Sequence, residues 1–431
     1  MHRLVPVALS QLVGVLMGMV GIKLVTHWIP VPVYGVYTLF VTLTQLGSLL
    51  THSGLTNHAS RYWHRERGQG GTFVRFLWTM SWRRVWPLGC GLAVLTLAFL
   101  VYRKEPIWGL VWPLLLVGNV AVAFGNVANN VLNAQEKHWW VLLLNTLNAL
   151  RSLFPVLVAG AVGASFWMLS LGFTIHSLVV LMAIALIFRW AWDAPPVAVE
   201  RQARWAQELR NYGRPFVLMG VGGWLLQNAD RWVVACFFGE ARAGLFGTAS
   251  QIGAIVPNLA AAGLMQLFFP RIFRQADAAA TIGDWKTLAR FCDQLTLLLL
   301  GLSLGGLGVL SWMGPHLVGW LIGLKYQAAM AILLPAGLAM LTVQANQFQY
   351  LLLQGQHNSA DMVKAMIVVA LVKTGGSVLA AAIDWSLFLY WLTGSSLVCA
   401  VLGRYLIQRE ALRSGPGGEA AKRLRPPGST D

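Results

Sequence analysis

The chain has 431 residues, of which 57% are hydrophobic and only 11% charged, with a mean hydropathy of +0.61 and a formal net charge of +16. Soluble domains carry about 25% charged residues, so this composition excludes an ordinary soluble enzyme or binding module. The positive excess is of the kind that cytoplasmic loops of membrane proteins supply, and it is not read as a nucleic-acid footprint.

In chain order, twelve apolar runs lie at about 4–28, 34–55, 84–102, 108–132, 139–162, 166–188, 215–238, 243–269, 293–313, 328–352, 361–383 and 386–408. A helix of ~20 residues crosses a hydrocarbon core of ~30 Å. The runs therefore predict an all-α polytopic membrane protein of about twelve transmembrane helices. The first run is too long for a signal peptide and no small-residue cleavage site follows, so it is read as an uncleaved span. The expected organisation is an N-terminal six-helix lobe (1–195), a cytoplasmic linker or amphipathic segment (196–214), a C-terminal six-helix lobe (215–409) and a disordered tail (410–431). The tail is rich in Gly, Pro and charge. Cys90, Cys236, Cys292 and Cys399 show no paired or metal-ligand spacing and read as small apolar residues.

Lys and Arg set the orientation. With the N-terminus inside, the inner segments hold 24 basic residues, while the outer loops hold 4: Arg103, Lys104, Arg242 and Lys325. This positive-inside bias places both termini in the cytoplasm. The two largest inner loops, around Arg61 to Arg84 and Arg189 to Arg214, are expected to form amphipathic helices along the membrane surface.

The chain repeats itself weakly. A shift of 209 residues lays Tyr34–Phe40 on Ala243–Ala249 and Gly54-Leu55 on Gly263-Leu264. Six spans, a basic loop and six more spans make two pseudo-symmetric lobes of one orientation, and such transporters place their site between repeats.

Four cations lie inside spans: Lys23, Arg151, Arg231 and Lys373, on spans one, five, seven and eleven. Under the repeat they form two equivalent pairs. Arg151 and Lys373 lie near mid-depth, where an ion costs at least ~2.5–3.5 kcal/mol and needs a partner or water. Lys23 is close enough to its span end to snorkel. Asp230 is the one deep acid. Its side chain diverges by ~100° from its neighbour Arg231, so it is expected to pair with a cation of the other lobe, or to take up a proton or sodium ion for coupling.

Amide stripes accompany these charges. Asn119, Asn126, Asn130 and Asn133 share one face of span four, and Asn145, Asn148 and Ser152 one face of span five beside Arg151. Gln227 precedes Asp230, Gln251 and Asn258 lie seven apart on span eight, and Gln347 and Gln354 seven apart on span ten. Cavity lining and helix–helix hydrogen bonding are equal alternatives for any one of them. His52 and His176 read as packed, hydrogen-bonded residues. The sequence carries no phosphate loop, nucleotide-binding cassette motif or His/Cys cluster, so no catalytic residue, cofactor or metal is expected. Ion gradients, substrate gradients or membrane potential would supply the work.

Two stretches resemble a known family. "VYGVYTLFVTLTQLGSLLTHSGLTNHASRYW" (Val33 to Trp63) is similar to the first repeat of bacterial polysaccharide flippases, with its Tyr-Gly-x-Tyr start at Tyr34, Gly35 and Tyr37 and a Gly-Leu before an Arg-bearing loop. "YGRPFVLMGVGGWLLQNADRWVVACFFGEARAGLF" (Tyr212 to Phe246) is similar to the start of their second half, with a Gly-x-Pro and the Asp-Arg of Asp230 and Arg231. The family is the Wzx-type (O-antigen) branch of the multidrug/oligosaccharidyl-lipid/polysaccharide exporter superfamily, with a MATE-like fold. The resemblance implies two six-helix lobes around a cationic central cavity, with the family's Asp-Arg element at Asp230 and Arg231; the cations Lys23, Arg151, Arg231 and Lys373 are the residues expected to line it. The resemblance also implies export of an undecaprenyl-pyrophosphate-linked oligosaccharide across the bacterial inner membrane for cell-surface polysaccharide. The implied partners are that lipid-linked substrate, membrane lipids, a proton or sodium counter-ion and polysaccharide-assembly proteins, with no nucleic acid. The competing readings are a drug/cation antiporter of the same superfamily, which needs more deep acids than Asp230, a non-transporting envelope-assembly scaffold, which needs no buried cations, and a sugar polymerase or ligase, which needs a large outer loop.

Overall fold

The computed structural model describes residues 4–63, 65–103, 106–279, 281–355 and 359–414. The expected disordered tail beyond Ser414 and the outer-loop Lys104 lie outside the described residues. Apart from a single β-bridge between Val318 and Ile322, the described residues form helices and their connections. A helix satisfies its backbone groups internally, as a bilayer demands.

The first half contains α1 (Leu4–Trp28), α2 (Val31–Tyr62), α3 (Gly70–Arg103), α4 (Pro106–Ala134), α5 (His138–Ala149), α6 (Phe154–Val162), α7 (Phe166–Ile187) and the short α8 (Arg189–Trp192). Then come α9 (Val199–Gly253), α10 (Ile255–Ala278), α11 (Ile282–Leu317), α12 (Ala328–Ala331), α13 (Leu333–Ala345), α14 (Gln347–Gly355), α15 (Ser359–Ile383) and α16 (Trp385–Ser414). Side chains start several of them. Ser165 Oγ accepts from the Met168 amide at 3.3 Å to begin α7. Thr281 and Asp284 form a reciprocal cap at the head of α11, and Asp284 Oδ2 accepts from the Thr281 amide at 2.9 Å.

Every expected span falls on helix. Nine helical stretches among the described residues are long and apolar enough to cross a membrane, or ten if the bent pair Leu324–Ala331 and Leu333–Gln354 counts as one. The difference from twelve has two sources. One of the nine is the 71-residue stretch Val199–Phe269, which breaks at Gly239 (φ 85°) and so contains both the seventh and the eighth expected span. The helix α3, which carries the third, is not among the nine.

The basic loops depart from expectation. Residues 70–84 and 199–214 do not form separate surface helices; they are the first turns of α3 and α9, continuous with the apolar runs that follow. Packing explains this. Trp205, within the basic stretch of α9, is fully buried, with its ring centred 5.1 Å from Phe73 and 5.3 Å from Phe76 of α3.

The chain divides into two compact units. The first is residues 1–221 with 318–326, and the second is 222–317 with 327–431. The core of the first joins Phe73, Phe76, Trp78, Phe124, Phe188 and Trp205. In the second, Phe246, Phe388 and Leu392 anchor one cluster, and Leu226, Val369, Ala370 and Cys399 another. The short stretch 318–326 is tied to α1 of the first unit: Thr26 Oγ1 accepts from the Gly323 amide at 3.1 Å, and the Tyr326 hydroxyl donates to the Ile29 carbonyl at 3.2 Å.

Candidate functional site

Arg151 sits at a break. Pro155 has no amide hydrogen, so the Arg151 carbonyl loses its donor four residues on. The fifth span tightens into a 3₁₀ turn at Leu150–Ser152, between α5 and α6. From that turn the guanidinium reaches α2 and α7. Nη2 donates to Thr44 Oγ1 at 3.3 Å, and the guanidinium carbon lies 4.6 Å from the centre of the Phe173 ring. Such a cation–π contact contributes ~0.5–2 kcal/mol. Phe173 is fully buried, and it fits because residue 118 of α4 is glycine: a Cβ there would come 2.3 Å from the ring.

The rings behind Phe173 form a row. Phe40 is edge-on to Phe173 at 5.6 Å, Tyr37 stacks on Phe40 at 6.3 Å, Tyr34 follows at 6.3 Å, and Tyr326 is edge-on to Tyr34 at 6.2 Å. The two tyrosines of the Tyr-Gly-x-Tyr motif thus lie within an aromatic row that runs from Tyr326 to Phe173 beneath Arg151. Among the described residues no carboxylate forms an ion pair with Arg151.

The second unit treats its deep cation differently. Lys373 does not line an open cavity in this structure; it is 0% exposed, with Nζ 2.7 Å from Asp230 Oδ2. Nζ also donates to the Leu226 carbonyl at 2.5 Å and the Ala339 carbonyl at 3.3 Å. Ser377, one turn on from Lys373, donates to Asp230 Oδ1 at 2.7 Å. Asp230 Oδ2 accepts no well-aligned hydrogen bond, so its contact with Lys373 is ionic in character. The partner expected from the other lobe is replaced by one on α15 of the same unit. Arg231, beside it on α9, is half-buried. Lys23 is exposed, with Nζ 5.8 Å from the centre of the Trp320 ring.

The amides of the stripes differ in burial and bonding. Asn119 is a packing residue, donating from Nδ2 to the Thr44 carbonyl at 3.1 Å. Asn130 accepts from Ser60 at 2.7 Å, and Asn145 from Asn129 at 2.8 Å. Asn126, Asn133, Asn148, Ser152, Gln251 and Asn258 are exposed, while Gln227, Gln347 and Gln354 are half-buried. His52 bonds the Thr51 hydroxyl at 2.6 Å and His176 the Leu147 carbonyl at 2.7 Å. Among the described residues no three His, Cys, Asp or Glu are grouped to hold a metal. The sequence reading missed Thr44, Phe173 and Ser377. Only Ser377 left a signal, one helical turn from Lys373.

Residues 5–275 match the model of a family described as "Polysaccharide biosynthesis protein". The chain belongs to this family. The match agrees with the Wzx-type resemblance of the Tyr34 and Tyr212 stretches. No curated protein sequence matches the chain. Among solved structures, an inward-facing multidrug resistance MATE family transporter of the MOP superfamily aligns with TM-score 0.64 at 14% identity, over 96% of this chain and 99% of that one. An outward-facing form gives 0.62 at 13% identity, over 98% and 96%. The lipid II flippase MurJ, in an inward closed conformation, gives 0.67 at 10% identity, over 95% and 87%. At these identities the likeness is one of fold: this member of the family is a multi-pass membrane protein with a MATE-like transporter fold.

Proposed function

We propose that the protein flips an oligosaccharide linked to undecaprenyl pyrophosphate from the cytoplasmic to the outer leaflet of a bacterial inner membrane, in the assembly of cell-surface polysaccharide. Both termini are cytoplasmic on this reading. The observation that carries it is Arg151, a cation in the middle of a span whose charge no carboxylate among the described residues meets. A guanidinium binds a phosphate bidentately, and with a ring beneath it and one Nη2 hydrogen on Thr44 its other N–H donors remain for that. Exposed amides on α4, α5, α9 and α10 can exchange hydrogen bonds with sugar hydroxyls. An inside-negative potential favours outward movement of an anion by ~2.3 kcal/mol per charge per 100 mV.

The cation-antiporter reading needs a carboxylate available to the substrate. Asp230 is the deep acid, and Lys373 already meets its charge. Asp230 therefore serves better as a coupling group, exchanging Lys373 for a proton or sodium ion during the cycle.

The test is flipping of a lipid-linked oligosaccharide in proteoliposomes, with substrate presented on the side of the basic loops. Arg151→Gln should lower the rate by at least tenfold while the protein still inserts, and Arg151→Lys should fall between. Normal rates in both variants at normal protein levels would refute the reading.

A further inference from the structure

Four arginines converge on a cleft of about 480 Å³ in the first unit, well away from Arg151 in sequence. Arg83 and Arg84 come from α3, and Arg210 and Arg214 from α9. The volume lies within the ~300–1,000 Å³ of small-molecule sites. No acidic residue lines it. The contrast with neighbouring arginines is informative. Arg65 pairs with Glu66 at 2.9 Å and with Glu208 at 2.5 Å, and Arg204 pairs with Glu66 at 3.2 Å. The acids of this region are thus committed to Arg65 and Arg204, and among the described residues none pairs with the four that face the cleft.

Two sequence motifs build the cleft. Gly54 of the Gly-Leu and Gly213 of the Gly-x-Pro meet backbone to backbone: a Cβ on Gly54 would lie 2.8 Å from the Gly213 carbonyl oxygen. This close crossing holds α9 against α2 and brings Arg210 and Arg214, one turn apart, onto one face beside Thr51. Arg84 fixes one end of its fork there, donating from Nη1 to the Thr51 carbonyl at 3.1 Å. Like charges one turn apart repel, and a bound anion relieves that repulsion. Pro87 and Val217, each about one turn further into its span than Arg84 and Arg214, and Leu50, beside Thr51 on α2, extend the lining with apolar side chains. A charged floor with an apolar wall running into the bilayer fits an amphiphile better than a free ion.

We propose that this cleft binds the pyrophosphate headgroup of a polyisoprenoid lipid, ahead of its transfer past Arg151. The inference rests on the flippase reading for the identity of the lipid. A cleft at the end of the spans that carries the basic segments would gather substrate on the loading side.

The test uses the full chain in nanodiscs of neutral lipid and measures direct binding of farnesyl pyrophosphate, with inorganic pyrophosphate and added phosphatidylglycerol as competitors. Each Arg→Gln at 210 or 214 should weaken binding by roughly tenfold, the range for a hydrogen bond to a charged group. Ala206→Glu, which puts an acid into the same cleft, should do likewise with an unchanged melting temperature. Unchanged binding in R210Q/R214Q and A206E would overturn the proposal. So would inorganic pyrophosphate binding as tightly as farnesyl pyrophosphate, or phosphatidylglycerol displacing it at equal affinity, since either outcome means a general anion or lipid surface. Failure of the flippase reading is seen separately: wild type would move no lipid-linked oligosaccharide, while the binding measurement would still report on the cleft.

Discussion

Under the repeat read from the sequence, spans five and eleven are equivalents, and each carries a cation about twelve residues from its expected basic end, yet the two cations live in opposite surroundings. Arg151 sits on a broken helix, over the face of Phe173 and against one hydroxyl. Lys373 sits on the unbroken α15, sealed from solvent, against a carboxylate and two carbonyls. The choice of residue follows from the chemistry. A planar, weakly hydrated guanidinium can lie on a ring and keep donors for a ligand, whereas an ammonium is a compact charge that needs its acceptors close around it. Pseudo-symmetric charges therefore need not play the same part. One half keeps its charge available, and the other commits it to Asp230.

The largest expected effect breaks that contrast directly. Lys373→Met leaves Asp230 buried without its counter-charge, and removal of one partner of a buried pair costs about 3–5 kcal/mol. Arg151→Gln strips no partner of its counter-charge and should cost no more than ~0.5–2 kcal/mol, the cation–π contribution. Unfolding in mixed micelles, followed by denaturant, measures both. Replacing both partners, as D230L/K373M, should recover most of the Lys373→Met loss, because an apolar pair carries no desolvation cost. Equal destabilisation by K373M and R151Q would mean that the two sites are electrostatically alike after all.

A smaller change sharpens the role of the pair. Ser377→Ala removes one of the two groups that hold the Asp230 carboxylate, at about 1.5–3 kcal/mol for a hydrogen bond to a charged group. If Asp230 couples transport to an ion, the loss of Ser377 should also shift the pH dependence of flipping, and Asp230→Asn should abolish dependence on the ion gradient. Full gradient dependence in Asp230→Asn would make the pair structural only.

Much of this architecture was legible in the sequence, for physical reasons. Run length reflects bilayer thickness, which acts on each span separately, so the helices fell where expected. Arg151 was legible because a deep ion is costly wherever its neighbours lie. The Asp230–Lys373 pair was not, because which helices pack side by side depends on small residues and shape far apart in the chain. The same holds for Phe173, whose seat under Arg151 depends on Gly118 of another helix. The basic turns of α3 and α9 were misread as surface helices because hydropathy counts their charges, while the structure buries Trp205 between them.

The smallest expected effect concerns the two glycines that the 209-residue shift superimposes. Gly54 is buried, and a Cβ there would lie 2.8 Å from the Gly213 carbonyl oxygen and 3.1 Å from its Cα. Those are backbone atoms, which cannot swing aside as a side chain would, so α2 and α9 must separate. Overpacking of this kind costs about 1–3 kcal/mol. Gly263, on α10, is exposed and a Cβ would meet nothing within 4 Å. There alanine brings only its better helix propensity, a gain of roughly 0.5–1 kcal/mol. Gly54→Ala should therefore destabilise and Gly263→Ala should not, although the repeat makes them equivalents. Gly54→Ala should also weaken pyrophosphate binding in the arginine cleft, since Arg210 and Arg214 move with α9, whereas Gly263→Ala should leave it unchanged. If both alanines prove neutral, the crossing of α2 and α9 is looser than the structure draws it, and the cleft loses the feature that holds its arginines together.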